Sequence, residues 1–386
     1  MPTITTTDAL ADFCERAASF PYVTIDTEFL RERTYYAQLC LVQLAIPGDG
    51  EDDAVLVDPL ADGMSLDPLY GLLRDPGVVK VFHAARQDLE IFYVEGGVIP
   101  APLFDTQVAA MVCGFGEQVG YETLVKRIAR AGLDKTSRFT DWSRRPLSDA
   151  QKAYALADVT HLRVIYEHLA AELDRSGRRA WVEEELATLA DPETYVVEPA
   201  EAWRRLKTRT GSGKFLAAVK ELAEFRERYA REHNVPRSRV LKDDALLEVA
   251  STRPRDMGEL GRARLLLREA RRGNVADGVL AALERARNYA PDDYPRPDRS
   301  RDRLQVNPAL ADLLRVLLKA KSEETGVAQK LIASAADLDA ISAGERDLHA
   351  LTGWRRTVFG EDALRLCAGE IALAARDGAV TAIALG

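Results

Sequence analysis

Tyr22-Val23-Thr24-Ile25-Asp26-Thr27-Glu28-Phe29-Leu30 is the stretch on which the reading of this chain turns. Its β-branched start, Val23-Thr24-Ile25, favours a strand. Two carboxylates two residues apart follow. A strand repeats every two residues, so Asp26 and Glu28 point to the same face. Acids on one face repel each other, and a hard divalent cation is the most economical way to neutralise them. Taken alone, an Asp-x-Glu is more often an ordinary pair of polar residues at a strand exit. The rest of the chain has to give it meaning.

Outward from this strand, read as Tyr22–Asp26, a helix is expected over Asp8–Ala18, capped by Thr7 or Asp8. Strands follow over Tyr36–Ala45 and Ala54–Val57. Three strands in succession suggest an antiparallel meander. The period then changes. A helix over Leu66–Leu73, a strand over Val78–Phe82 and a helix over Arg86–Val94 complete a βββαβα order. That order points to a mixed sheet with helices on its faces. Thr106–Cys113 and Tyr121–Ala131 read as helices, and Lys135–Pro146 as a loop. Ser148-Asp149-Ala150-Gln151 is a capping box that opens a long helix ending near Leu173.

From Glu201 the pattern is helices only. Amphipathic helices are expected over Phe215–Glu232, Asp243–Ala250, Arg262–Arg271, Val275–Tyr289 and Pro308–Glu324. Residues 291–302 are Pro-rich and charged, as a linker would be. Apolar positions on either side match at an offset of 92 residues (Leu222 with Leu314, Val235 with Val327, Leu246 with Leu338), as in two small helical domains of one kind.

The 386 residues suggest two or three domains, and 47% hydrophobic with 29% charged residues is ordinary for a globular protein. No run of about 18 apolar residues marks a membrane span, and the N-terminus does not read as a signal peptide. Four scattered cysteines read as reduced thiols, so the expectation is a cytoplasmic protein without membrane partners. The net charge of −9 is uneven: −15 over residues 1–200, +8 over 201–275 and −2 over 276–386. A basic stripe beside an acidic half suits a protein that holds a polyanion and acts on it.

Further acids stand in telling places. Asp88 falls in the first turn of the helix after the fourth strand. By itself it is a residue that complements a helix dipole. Tyr154 and Asp158 lie four apart, on one face of the long helix. Asp105 reads as a helix cap. His83 and His161 read as satisfied polar groups. As a set, Asp26, Glu28, Asp88 and Asp158 are enough to hold two Mg²⁺ or Mn²⁺ ions for phosphodiester hydrolysis. Tyr154 is placed to orient the attacking water, and the lack of Cys/His clusters argues against zinc.

Asp26-Thr27-Glu28-Phe29, Phe82-His83-x4-Asp88 and Tyr154-x3-Asp158, in that order, resemble the three motifs of the DEDD superfamily of 3′→5′ exonucleases, in the subgroup with Tyr in the last motif. Thr34-Tyr35-Tyr36-x-Gln38-Leu39 and Asp141-Trp142-x3-Pro146-Leu147 are similar to the ribonuclease D family within it. The helical parts resemble HRDC modules. Phe225-Arg226-Glu227 stands where Trp-Arg-Glu is common, and Asn234-x-Pro236-Arg237 and Asp244 also fit. The second part departs, with Gly326-Val327-Ala328 in place of Asn-x-Pro. The resemblance covers nearly the whole chain.

That resemblance implies a ribonuclease H-like α/β exonuclease domain (1–195), a first HRDC domain (200–290), a linker (291–303) and a second HRDC-like domain (304–386), both all-α. It implies that Asp26 bridges two divalent ions, that Glu28 and Asp158 complete the site of the water-activating ion, and that Asp88 holds the other. Thr27, Phe29 and His83 become candidate contacts to the terminal nucleotide. The implied substrate is RNA with a single-stranded 3′ end, tRNA precursors and small structured RNAs among them, cut to nucleoside 5′-monophosphates. A DNA exonuclease of the same superfamily and a non-catalytic nucleic-acid scaffold are the alternatives.

Overall fold

The computed structural model describes all residues except 1–2, 135, 138–139, 209–210, 297–303 and 386. Its main sheet is assembled around the acidic strand. The elements run β1 (Thr3–Ile4), α1 (Thr7–Ala17), β2 (Tyr22–Leu30), β3 (Gln38–Ala45), β4 (Ala54–Val57), α2 (Asp67–Arg74), β5 (Val79–Phe82), α3 (Arg86–Gly96) and β6 (Leu103–Asp105). The strand order is β1-β4-β3-β2-β5-β6, and the sheet is mixed. β3 and β4 are antiparallel, whereas β2 with β5, β5 with β6 and β1 with β4 are parallel. β2 runs to Leu30, so Asp26 and Glu28 sit inside the strand rather than at its exit. α1 is capped by the hydroxyl of Thr6, one residue before Thr7 and two before Asp8.

The chain continues with α4 (Thr106–Val112), α5 (Tyr121–Leu124), a π-helical turn (Val125–Ala129), α6 (Asp149–Ser176) and α7 (Arg179–Ala190). Ser148 and Gln151 form the expected reciprocal cap: the Gln151 N–H donates to Ser148 Oγ at 3.2 Å, and the Ser148 N–H to Gln151 Oε1 at 3.0 Å. Ala155, Val159, Leu162, Ile165, Leu169 and Leu173 form the buried stripe of α6. Gly177, in the left-handed region with φ 67°, ends the helix. The linker reading falls largely on residues 297–303, outside the described residues.

The basic helical module contains α8 (Gly213–Glu232), α9 (Arg237–Val240), α10 (Asp243–Thr252), α11 (Met257–Leu260) and α12 (Gly273–Arg287) around one apolar core. The expected helix over Arg262–Arg271 is replaced by turns. The backbone N–H groups of Arg264 and Leu265 donate to the Glu248 carboxylate at 2.9 and 2.8 Å, which takes them out of any helical ladder. Only Glu269–Arg271 makes a 3₁₀ turn.

The last region has α13 (Pro308–Thr325), α14 (Gln329–Ile332), α15 (Ala335–Ser342), α16 (Gly353–Arg355) and α17 (Glu361–Cys367). It is not all helical. β7 (Ile371–Arg376) and β8 (Ala379–Ala384) form an antiparallel hairpin. Asp377-Gly378, with φ of 50° and 80°, supplies the two-residue turn that matches strand twist.

The chain forms two compact units: one of Met1–Thr27, Leu41–Asp191 and Ser300–Gly386, the other of Glu28–Cys40 and Pro192–Arg299. Within the first, the N–H of Ala328 donates to the Met111 carbonyl at 3.0 Å, and Gly326 lies against the backbone of Gly114. This accounts for the departure from Asn-x-Pro: proline at 328 has no N–H to give. Ala328→Pro is expected to lower the unfolding free energy by about 1–3 kcal/mol, the cost of stranding a buried acceptor. An unchanged urea midpoint would show that this bond contributes nothing.

Candidate active site

The two faces of β2 do different work. Thr24 Oγ1 donates to the carbonyls of Ala45 (3.2 Å) and Val159 (2.9 Å), so this face looks onto α6. Asp26 is the next residue on it. From α6, Tyr154 and Asp158 enter the same open cleft of about 270 Å³, one helical turn apart. The cleft is also lined by His83, Tyr121 and Glu122. Trp142 is buried and sets its ring 6.1 Å from that of Tyr154, which limits where the phenol can lie.

On the opposite face, Thr27 is buried and its hydroxyl donates to the Asp88 carboxylate. Asp88 is buried too, and loss of hydration pushes its pKa up to about 7 despite the Thr27 hydrogen bond. The structure thus gathers Asp26, Tyr154, Asp158 and His83 on one cleft and ties Asp88 to the underside of the strand. Glu28 and Phe29 are half-buried farther along β2, with the Arg31 guanidinium 5.5 Å from the Phe29 ring centre.

Two residues of the site have roles that the sequence did not reveal. Asp105 caps α4 as expected, but its carboxylate also accepts the N–H groups of Ala84 (3.0 Å) and Ala85 (2.8 Å). It thereby fixes the turn after β5, where Ala84 takes a φ of 57° and His83 is presented. His83 Nδ1 lies 3.0 Å from Thr106 Oγ1, and burial lowers its pKa. Tyr121 donates its hydroxyl to the carbonyls of Ala157 (3.0 Å) and Asp158 (2.7 Å), bracing α6 at the acidic residue. Burial, and then the charges of Asp158 and Asp26, raise its pKa well above that of an ordinary phenol. No local pattern marks Tyr121, because its partners lie 36 and 37 residues away.

The donor chemistry fits a divalent metal. Carboxylate oxygens suit Mg²⁺ and Mn²⁺, and a buried carboxylate such as Asp88 gains from a nearby cation. Among the described residues, no three His, Cys, Asp or Glu side chains are already drawn together as an ion cage.

Known proteins share the sequence and fold of this chain. A sequence model of the 3′-5′ exonuclease family matches residues 1–174, and one of the HRDC domain matches 215–283. The ribonuclease D of Jannaschia sp. (strain CCS1) is 66% identical over 374 residues, covering 97% of each chain. The chain belongs to the ribonuclease D family. A second relative, the ribonuclease D of Nitrobacter hamburgensis, is 47% identical and covers 99% of both chains. The crystal structure of Escherichia coli RNase D, described as an exoribonuclease involved in structured RNA processing, superposes with a TM-score of 0.81 at 33% identity, covering 95% of this chain and 98% of that one. This ribonuclease D family member is accordingly a hydrolytic 3′→5′ exoribonuclease, of an exonuclease family that depends on divalent metal ions. Among the described residues, no helix is long and apolar enough to cross a membrane.

Proposed function

We propose that this enzyme trims the single-stranded 3′ ends of tRNA precursors and other small structured RNAs in the cytoplasm. It would release nucleoside 5′-monophosphates with two divalent ions, Mg²⁺ or Mn²⁺. The observation that carries this reading is the meeting of Asp26, Tyr154 and Asp158 on one open cleft. Asp26, Glu28, Asp88 and Asp158 are the residues that would hold the metal. When bound, the metal supplies charge to the scissile phosphate and acidity to water. Tyr154 orients the water through its hydroxyl, at a position limited by Trp142. The Thr27 backbone, Phe29 and His83 receive the terminal nucleotide, with the Phe29 ring as a stacking surface indifferent to base identity.

The basic module is read as the grip on the RNA body. Arg262, Arg264, Arg268 and Arg272 are exposed along the turns that replace the expected helix, while Ala263, Leu266 and Ala270 between them are buried. Phosphate contacts of this kind weaken with salt, with a slope of about −0.7 per contact for single strands. The test compares 3′-labelled and 5′-labelled RNA with the matching DNA, in Mn²⁺ and in EDTA, with and without a 3′-extended tRNA body. Stepwise mononucleotide release from the RNA 3′ end, lost in EDTA and faster on the tRNA precursor, is the expected result. Equal rates on DNA would overturn the RNA preference. Equal rates on an unstructured oligomer would overturn the substrate assignment.

A further inference from the structure

Tyr35 stands nine residues after Asp26, in the segment that joins β2 to β3. Its side chain packs against the core of the first helical module. Three residues of that module hold it. The Tyr35 hydroxyl donates to the Glu227 carboxylate of α8. Its backbone N–H donates to Asn234 Oδ1 at 3.1 Å. The Arg237 guanidinium lies 4.7 Å from the ring centre, and its Nη2 donates to the Tyr35 hydroxyl at 3.0 Å.

The holder is itself rigid. Glu227 is 1% exposed and bound by Arg237 through two bonds of 2.6 Å. Such a forked, charge-assisted pair fixes both partners in direction as well as distance. Asn234 adopts a φ of 46°, which turns its side chain toward the segment at the end of α8. Glu28–Cys40 and Pro192–Arg299 belong to one compact unit for this reason among others.

β2 ends at Leu30, so the Tyr35 anchor lies five residues beyond the half of the strand that carries Glu28 and Phe29. We propose that Glu227, Asn234 and Arg237 are positioning residues for catalysis, acting through Tyr35 on the second half of β2. The module is then a splint on the catalytic strand as well as a grip on RNA. This rests on the reading above that Glu28 and Phe29 serve the site. It assigns a duty to Tyr35, and to the Asn234–Arg237 turn, that nucleic-acid binding alone does not require.

The test uses the full-length protein with Tyr35→Phe, which keeps the ring beneath Arg237, and Asn234→Gly, which keeps the positive φ. Three quantities are read: amide hydrogen exchange over residues 28–37, RNA Kd without metal, and kcat on a single-stranded RNA. Expected are exchange about tenfold faster in that segment, a Kd within twofold of wild type, and kcat lower by about tenfold. Faster exchange with kcat unchanged would overturn the proposal. So would unchanged exchange in both variants, or a loss confined to Kd, which would leave the module as a grip only. Should the wild type cleave no RNA, the exonuclease reading would fail first, and that result is separable because it appears without any substitution.

Discussion

Asp26→Ala and Asp158→Ala are each expected to reduce RNA cleavage at least about a thousandfold, about 4 kcal/mol of transition-state stabilisation. Both residues line the same cleft. His83, also in the cleft, is a neutral-leaning base whose pKa burial lowers, so it does not substitute for a lost carboxylate. Stability should move the other way or not at all. Asp26 and Asp158 both add to the field that raises the Tyr121 phenol. Removing one relieves repulsion between like charges. A protein that melts at or slightly above the wild-type temperature and cleaves no RNA is therefore the expected pair of observations. Full activity in either variant would sink the site assignment.

Arg355→Ala is expected to cost about 3–5 kcal/mol of folding free energy, the largest effect on stability that we anticipate. Arg355 on α16 is 3% exposed. Its guanidinium donates to the Leu331 carbonyl at 2.7 Å, to Glu184 at 2.9 Å and to Glu185. It also lies 4.6 Å from the ring centre of Trp354, which stacks at 4.7 Å and 11° on Trp181 of α7. Alanine removes the guanidinium shared by two adjacent carboxylates and leaves them to repel each other. Lysine restores the charge but not the fork that reaches both acids, so Arg355→Lys should recover only part of the loss. The check is a denaturant midpoint with m unchanged. A shift below about 1 kcal/mol would mean that water replaces the guanidinium without penalty, as it does at exposed pairs.

What was legible in the sequence was whatever depends on short spacings. Asp26 follows Thr24 by one strand period, and Tyr154 and Asp158 share a face by one helical turn. Both follow from backbone geometry alone. Ser148 and Gln151 announced their reciprocal cap for the same reason. Partners far apart in sequence were not legible. Tyr121 braces α6, Asp105 holds the turn at Ala84, and Glu227 holds Tyr35 from 192 residues away. Arg262–Arg271 misled because Ala263, Leu266 and Ala270 repeat at helical spacing, whereas the Glu248 carboxylate had already taken the N–H groups a helix needs. The C-terminal hairpin was passed over although Asp377-Gly378 is a strong turn signal. The strands around it are Ala-rich, and alanine is weak evidence for a strand.

The stack of Trp181 on Trp354, with Arg355 beside it, bears on how such a gene can be shortened. A stop codon between α7 and the last region would bare the Trp181 indole on α7, remove the Arg355 partner of Glu184 and Glu185, and take away the donor to the Met111 carbonyl. The product would be a poor folder before it was a less discriminating enzyme. A lineage can lose this region without cost to folding only after α7 has exchanged Trp181 for a residue content in water, so that position forms a ratchet against truncation.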